Sequence, residues 1–164
     1  MSAATSSAKA LRDHLARLLT WSDAHVSFDD AVADLPASAR GRVPEGLPYS
    51  PWQLVEHMRL TQADILEFCV SRDYREKEWP KDYWPPTPEP PTARAWSASI
   101  AAFKRDRRAL VRLATDPRRD LLSRVPAGTG QTLLREIVLA ADHAAYHVGE
   151  LVVVRRVLRH WDGG

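Results

Sequence analysis

Cysteine is almost missing: Cys69 is the single thiol in 164 residues. No disulfide can close within the chain, and nothing points to an oxidising compartment. Asparagine is absent, and lysine is limited to Lys9, Lys77, Lys81 and Lys104 among 23 cationic residues. This reads as compositional bias rather than a nucleic-acid footprint. Net charge is only +2, and Asp106, Asp116 and Asp120 interrupt the arginine-rich stretch, whereas a groove-binding face needs clustered cations. No nucleic-acid partner is expected. The chain also lacks a Gly-rich phosphate loop, a nucleophile elbow and a paired-cysteine metal motif.

Long apolar runs are missing too. The opening residues MSAATSSAKALRDHL contain no apolar h-region, so no signal peptide is expected. The most apolar stretch, IVLAADHAAYHVGELVVV, is interrupted by Asp142, His143, His147 and Glu150, which argues against a membrane span. The expected location is the cytoplasm. What is present suits one soluble domain over residues 1–164, with enough chain to bury a core without disulfides.

Hydrophobic spacing predicts four helices. The first runs from about Ser7 to Val32, with Leu11, Leu15, Leu18, Trp21, His25, Phe28 and Val32 at three- and four-residue steps. The connection LPASARGRVPEGLPYS ends on Ser50-Pro51-Trp52-Gln53, a capping box with proline at the first helical position. A second helix then runs to about Ser71, with Leu54, Val55, Met58, Ile65 and Cys69 inward. Prolines exclude helix over most of Arg72 to Pro91. A third helix begins near Thr92, turns Trp96, Ile100, Phe103, Leu110 and Ala114 inward, and ends at Asp116-Pro117. The fourth spans roughly Thr132 to His160. Together they predict an all-α four-helix bundle. A helix of this size is roughly 30 Å long, and the segment Asp73 to Pro91 spans that length at about 3.3 Å per residue. It is therefore long enough to cross the bundle end to end and leave the second and third helices parallel.

Chemistry concentrates in the histidines His57, His143 and His147. His143 and His147 lie about 40° apart on one helix face, a turn from one another. Two imidazoles so placed converge on one divalent ion, or are surface or hydrogen-bonded core residues. Their mid-helix position in the most apolar helix favours the first reading, since buried imidazoles need partners. His57 sits beside the inward Leu54, Val55 and Met58 of the second helix. Three neutral imidazoles from two helices form a half-shell with open positions, as in catalytic zinc sites. Glu150 projects from the same face and is the candidate for proton transfer or a fourth ligand; Glu136 lies there too.

The segment Trp52-Gln-Leu-Val-Glu-His-Met58, with Leu139 to Glu150 (L-x-A-D-H-x-A-Y-H-x-G-E), resembles the DinB-like superfamily. The aromatic stretch Trp79-Pro-Lys-Asp-Tyr83-Trp84-Pro85 resembles a loop that many members carry. The resemblance implies an up-down-down-up bundle and often a homodimer. It also implies zinc, nickel or a similar ion held by histidines at positions 57, 143 and 147. It further implies small-molecule chemistry: thiol-dependent S-transfer with a low-molecular-weight thiol as co-substrate, isomerisation, or metal-dependent hydrolysis. Glu150 departs from the family, where glutamine is common. The rival reading is a stress-response protein whose metal does no chemistry.

Other residues receive plainer readings. His25, on the apolar stripe of the first helix, is expected either inside and hydrogen-bonded or as a pocket contact near the metal. His14 and His160 are expected in solvent, and Cys69 in the core. Trp79, Tyr83 and Trp84 form either a lid or the packing that pins a long loop. A substrate pocket is expected between the second and fourth helices, beside that loop.

Overall fold

The computed structural model describes residues 3–20 and 23–161. Its elements are α1 (Ala3–Leu18), α2 (Phe28–Val32), a 3-10 turn (Ala37–Ala39), α3 (Pro51–Val70), α4 (Ala93–Thr115) and α5 (Leu133–Val157). The only β pairing among the described residues is an isolated bridge between Arg124 and Thr132. The all-α bundle expected from the sequence is the one observed.

Start signals written in the sequence operate as expected for three of the long helices. At α3 the Ser50 hydroxyl accepts from the Gln53 N–H at 3.2 Å, and the Gln53 side chain accepts from the Ser50 N–H at 3.1 Å. Thr92 and Thr132 cap α4 and α5 through their hydroxyls. Each cap satisfies N–H groups that the first helical turn leaves unpaired.

The first helix departs from its expected course. It stops at Leu18 rather than running to Val32. Its last turn tightens where the Thr20 N–H meets the Arg17 carbonyl, and the Thr20 hydroxyl bonds back to Ala16. Helix resumes at Phe28 because Ser27 caps it, with Asp29 and Asp30 in a first turn that favours negative charge. The hydrophobic spacing concealed this second start. Leu11 (44% exposed) and Leu18 (38%) are outside rather than inside. His25 is exposed, its Nδ1 2.8 Å from the Val26 carbonyl oxygen, so it is neither a core residue nor a contact of the histidine trio. Trp21 lies outside the described residues. At the other end, α5 stops at Val157 rather than His160. Arg159 adopts φ 61°, and the Arg155 guanidinium donates to the His160 carbonyl at 2.9 Å, which closes the terminus.

Long-range bonds establish the wiring. Ser50 donates to the carbonyl of Pro88, just before α4, and Gln62 to that of Phe103 inside it. Starts lie by starts and middles by middles, so α3 and α4 run parallel. Arg12 near the middle of α1 reaches the carbonyls of Ala114 and Arg119, at and beyond the end of α4. Leu18 at the end of α1 lines one cavity with Phe103 and Arg107, farther back on α4, which makes that pair antiparallel. His57 meets His143 and His147, and farther on Ile65 and Cys69 share a core cluster with Leu133 and Ile137. Thus α3 and α5 are antiparallel, and the order is up-down-down-up. The crossover from Ser71 to Thr92 returns the chain to the starting end.

Two apolar clusters fill the bundle. One gathers Leu54, Val55, Met58, Trp96, Phe103, Val148, Leu151 and Val154 with α2; the other gathers Ile65, Cys69, Leu110, Ile137 and Ala141 with α1. Buried polar side chains mark the changeover on each of the other three helices: His57, Gln62 and Asp64 on α3, Asp106 on α4, His147 on α5. By length and composition alone α5 meets the requirement for crossing a membrane, despite the polar residues that argued against it. In the bundle its buried residues serve both clusters.

Phe103 packs α4 against α2 inside the first cluster: its ring lies 4.1 Å from that of Phe28, and it is 1% exposed. Phe103→Ala is expected to cost about 3–5 kcal/mol of unfolding free energy by lost burial and the cavity left. Urea denaturation checks it, and a loss under about 1 kcal/mol contradicts this packing.

Candidate metal centre

The trio forms where α3 and α5 pass one another. His57 comes from the second turn of α3 and is 2% exposed; His147 is 7% exposed, and His143 is half-buried one turn before it. The His57 Nε2 lies 3.1 Å from the Nε2 of His147 and 3.1 Å from that of His143. One ligand atom from each of the three lies within 4.8 Å of the others, so together they are able to hold a metal ion.

What surrounds the rings decides which nitrogen points inward with a lone pair. His57 Nδ1 sits 2.7 Å from the backbone carbonyl oxygen of Tyr83, which can only accept, so Nδ1 carries the proton. His147 Nδ1 sits 2.6 Å from a Glu150 carboxylate oxygen and is likewise the donor. Both Nε2 atoms therefore face each other as lone pairs, without a proton between them. Such a pair repels in isolation and is drawn together by a cation. Tetrahedral zinc at 2.0–2.1 Å from each nitrogen sets its ligands about 3.3 Å apart, close to the separation seen. The donor set fits a divalent ion.

The electrostatics agree. Burial holds all three imidazoles below the usual histidine range; neighbouring rings add to this at His143 and His147, while at His57 the Tyr83 carbonyl and Glu150 oppose it. The pKa of His143 falls to about 3 and that of His147 to about 4. Near neutral pH the ligands are thus already deprotonated, as coordination requires. Burial raises the Glu150 carboxyl above its ordinary value, opposed by its bond with Tyr146 and by His57.

The crossover supplies much of the surround. Trp84 stacks on His57, with centroids 3.8 Å apart and planes 3° off parallel, and Tyr49 stacks on the same indole at 4.1 Å. The Tyr83 hydroxyl donates to Asp64 at 2.8 Å. These two aromatics pin the loop. Trp79 stays 67% exposed, its ring 6.4 Å from that of His57. A cavity does lie between α3 and α5, but neither the three histidines nor Trp79, Tyr83 and Trp84 line it, so it is not the pocket expected beside the aromatic loop. Its volume is about 160 Å³, and it is lined by Leu54, Glu150, Val153 and Val154 together with Leu47, Pro48 and Tyr49.

The remaining candidates fall out plainly. Glu150 lies against His147, on the ring edge away from the trio. Glu136 is 1% exposed and bonded by Arg135, two turns from His143 on α5. Cys69 is buried, and its thiol is pushed up to about 12 by that burial and then by Glu136. His14 is exposed and His160 half-buried. Spacing overlooked Tyr49, Asp64 and the Tyr83 carbonyl. Only Asp64 left a signal, as an acid seven residues after His57 on an inward stripe.

In the metal-free protein the lowered histidine pKa values make acid destabilising. The unfolded chain takes up protons near pH 6.5 that the folded chain refuses until about pH 3–4. Stability is therefore full above about pH 6.5 and falls as pH drops from there towards 4. The carboxylate of Asp116, held down to about 2 by Arg118, titrates below that window. Denaturant midpoints measured with chelator from pH 8 to 4 check this. Replacing all three histidines by alanine should flatten the profile, and an unchanged slope contradicts the assignment.

Comparison with curated proteins and with solved structures gives no match. A family model described as the DinB superfamily matches residues 7–151. That match takes in α3, α4, the histidines of the trio and all but the end of α5, and with it the chain belongs to the DinB superfamily.

Proposed function

We propose that this protein is a metal-dependent enzyme acting on small molecules, with zinc or nickel held by His57, His143 and His147. The observation that carries the reading is the 3.1 Å approach of the His57 and His147 Nε2 atoms, each committed as a lone pair by the bond across its ring. Three neutral nitrogen ligands leave at least one open position, the pattern of catalytic rather than structural sites. The ion's contribution is Lewis acidity, which lowers the pKa of a thiol or water that joins it.

The chain's own residues bind, orient and shield. The Tyr83 carbonyl and Glu150 fix two imidazoles by their outer nitrogens. Trp84, backed by Tyr49, keeps water off one face of His57. Trp79 and Tyr146, 67% and 65% exposed beside His57 and His147, offer apolar rims to a substrate. Glu150, with raised proton affinity beside the trio, suits proton transfer. The reaction class is S-transfer with a low-molecular-weight thiol, or hydrolysis; both need the nucleophile that such a centre activates.

Metal analysis with chelator competition, followed by a screen of thiols and esters, tests this. The wild type should bind one equivalent, and the triple alanine variant should lose it while staying helical. Glu150→Gln keeps an acceptor for His147, so metal should remain while turnover falls about 10²–10⁴-fold. A triple variant with unchanged affinity rules out the site. Stoichiometric metal without turnover of any thiol or ester overturns the enzymatic half and leaves a non-catalytic metal-binding stress protein.

The same protein is proposed to be a homodimer. Val153 and Val157, one turn apart near the end of α5 and 47% and 52% exposed, supply an apolar patch that a second copy would cover. Light scattering at micromolar concentration should give twice the chain mass, and a monomer removes the proposal.

A further inference from the structure

Asp64 lies two turns beyond His57 on α3, and it is 8% exposed. Its partners all come from the crossover: the Lys77 ammonium at 2.6 Å, the Tyr83 hydroxyl at 2.8 Å and the Tyr74 hydroxyl at 3.3 Å. A carboxylate this buried is costly unless paired, and here the pairing is spent wholly on docking the loop. Tyr83 is also the residue whose carbonyl receives the His57 Nδ1–H at 2.7 Å. The residue after it, Trp84, lies flat on the His57 ring. One acid therefore anchors the segment that orients a candidate ligand it does not itself touch.

We propose that Asp64 is a positioning residue of the metal centre: by anchoring Tyr83 it holds His57 in the Nδ1–H tautomer and so sets divalent-ion affinity from a distance. The proposal rests on the reading of His57 as a ligand. Without a fixed carbonyl at Nδ1, only the Thr61 hydroxyl at 3.5 Å remains there, and the imidazole can carry its proton on Nε2, which blocks coordination at that atom. Partners that orient a ligating histidine commonly contribute 10–100-fold in metal affinity. The Asp64 effect is relayed through one further residue and belongs in the same range.

The test compares wild type, Asp64→Ala and Tyr83→Phe, with Lys81→Ala as control. Lys81 is on the same loop, but its ion pair with Glu78 is exposed. Zinc affinity by chelator competition should fall about 10–100-fold for Asp64→Ala, less for Tyr83→Phe, and not for Lys81→Ala. Nitrogen-15 shifts of the His57 ring in metal-free protein give a readout that loss of stability alone does not move. They should report Nδ1–H alone in wild type and mixed tautomers in Asp64→Ala. Should Asp64→Ala not fold, Tyr83→Phe, which removes one hydroxyl, carries both measurements. Unchanged zinc affinity with an unchanged tautomer overturns the proposal. If wild type binds no zinc, the proposed function falls instead, and the metal-free tautomer still decides this inference.

Discussion

An imidazole that donates through one nitrogen must accept through the other, and the site depends on that rule being applied twice. The Tyr83 carbonyl takes the proton of His57 Nδ1, and the Glu150 carboxylate takes that of His147 Nδ1. Both remaining lone pairs are then aimed at one point between α3 and α5, where His143 brings its own Nε2. Burial forbids the easy escape of protonating a ring. The folded chain therefore sets the lone pairs of His57 and His147 3.1 Å apart, where a proton on His143 Nε2 can satisfy one of them and a cation can satisfy both.

That arrangement sets demands on the bundle. The helices carrying the ligands must pass antiparallel, so that residue 57 of one meets residues 143 and 147 of the other. The apolar clusters must also part enough to admit a polar layer. Buried polar residues do mark the changeover between the clusters on α3, α4 and α5. Gln62 satisfies part of that layer by donating to the Phe103 carbonyl, which also fixes α3 against α4.

The wiring and the site share one segment. Parallel α3 and α4 need a connection that travels the length of the bundle, and the crossover does so with Tyr83 and Trp84 laid against His57. A loop required by topology thus serves as the outer support of a ligand. Its prolines favour extended backbone, and Asp64 gathers it at Tyr74, Lys77 and Tyr83. Chain direction, loop docking and imidazole tautomer are consequences of one path.

The sequence by itself determined the helical class, three of the four long helix starts and the three histidines, because these are local. Ser50, Thr92 and Thr132 cap within their own first turns. The spacing of His143 and His147 places them on one face whatever surrounds the helix. The break after Leu18 was written at Ser27 and Asp30, but in capping chemistry that a continuous apolar stripe hid. Only the tertiary structure decided what Glu150 touches, which nitrogen of His57 faces inward and what Asp64 is for. Each depends on a partner far along the chain or on the side-chain direction of a neighbour. Tyr83 lies 26 residues from His57 and meets it through a backbone carbonyl, a group that every residue carries and no residue type announces.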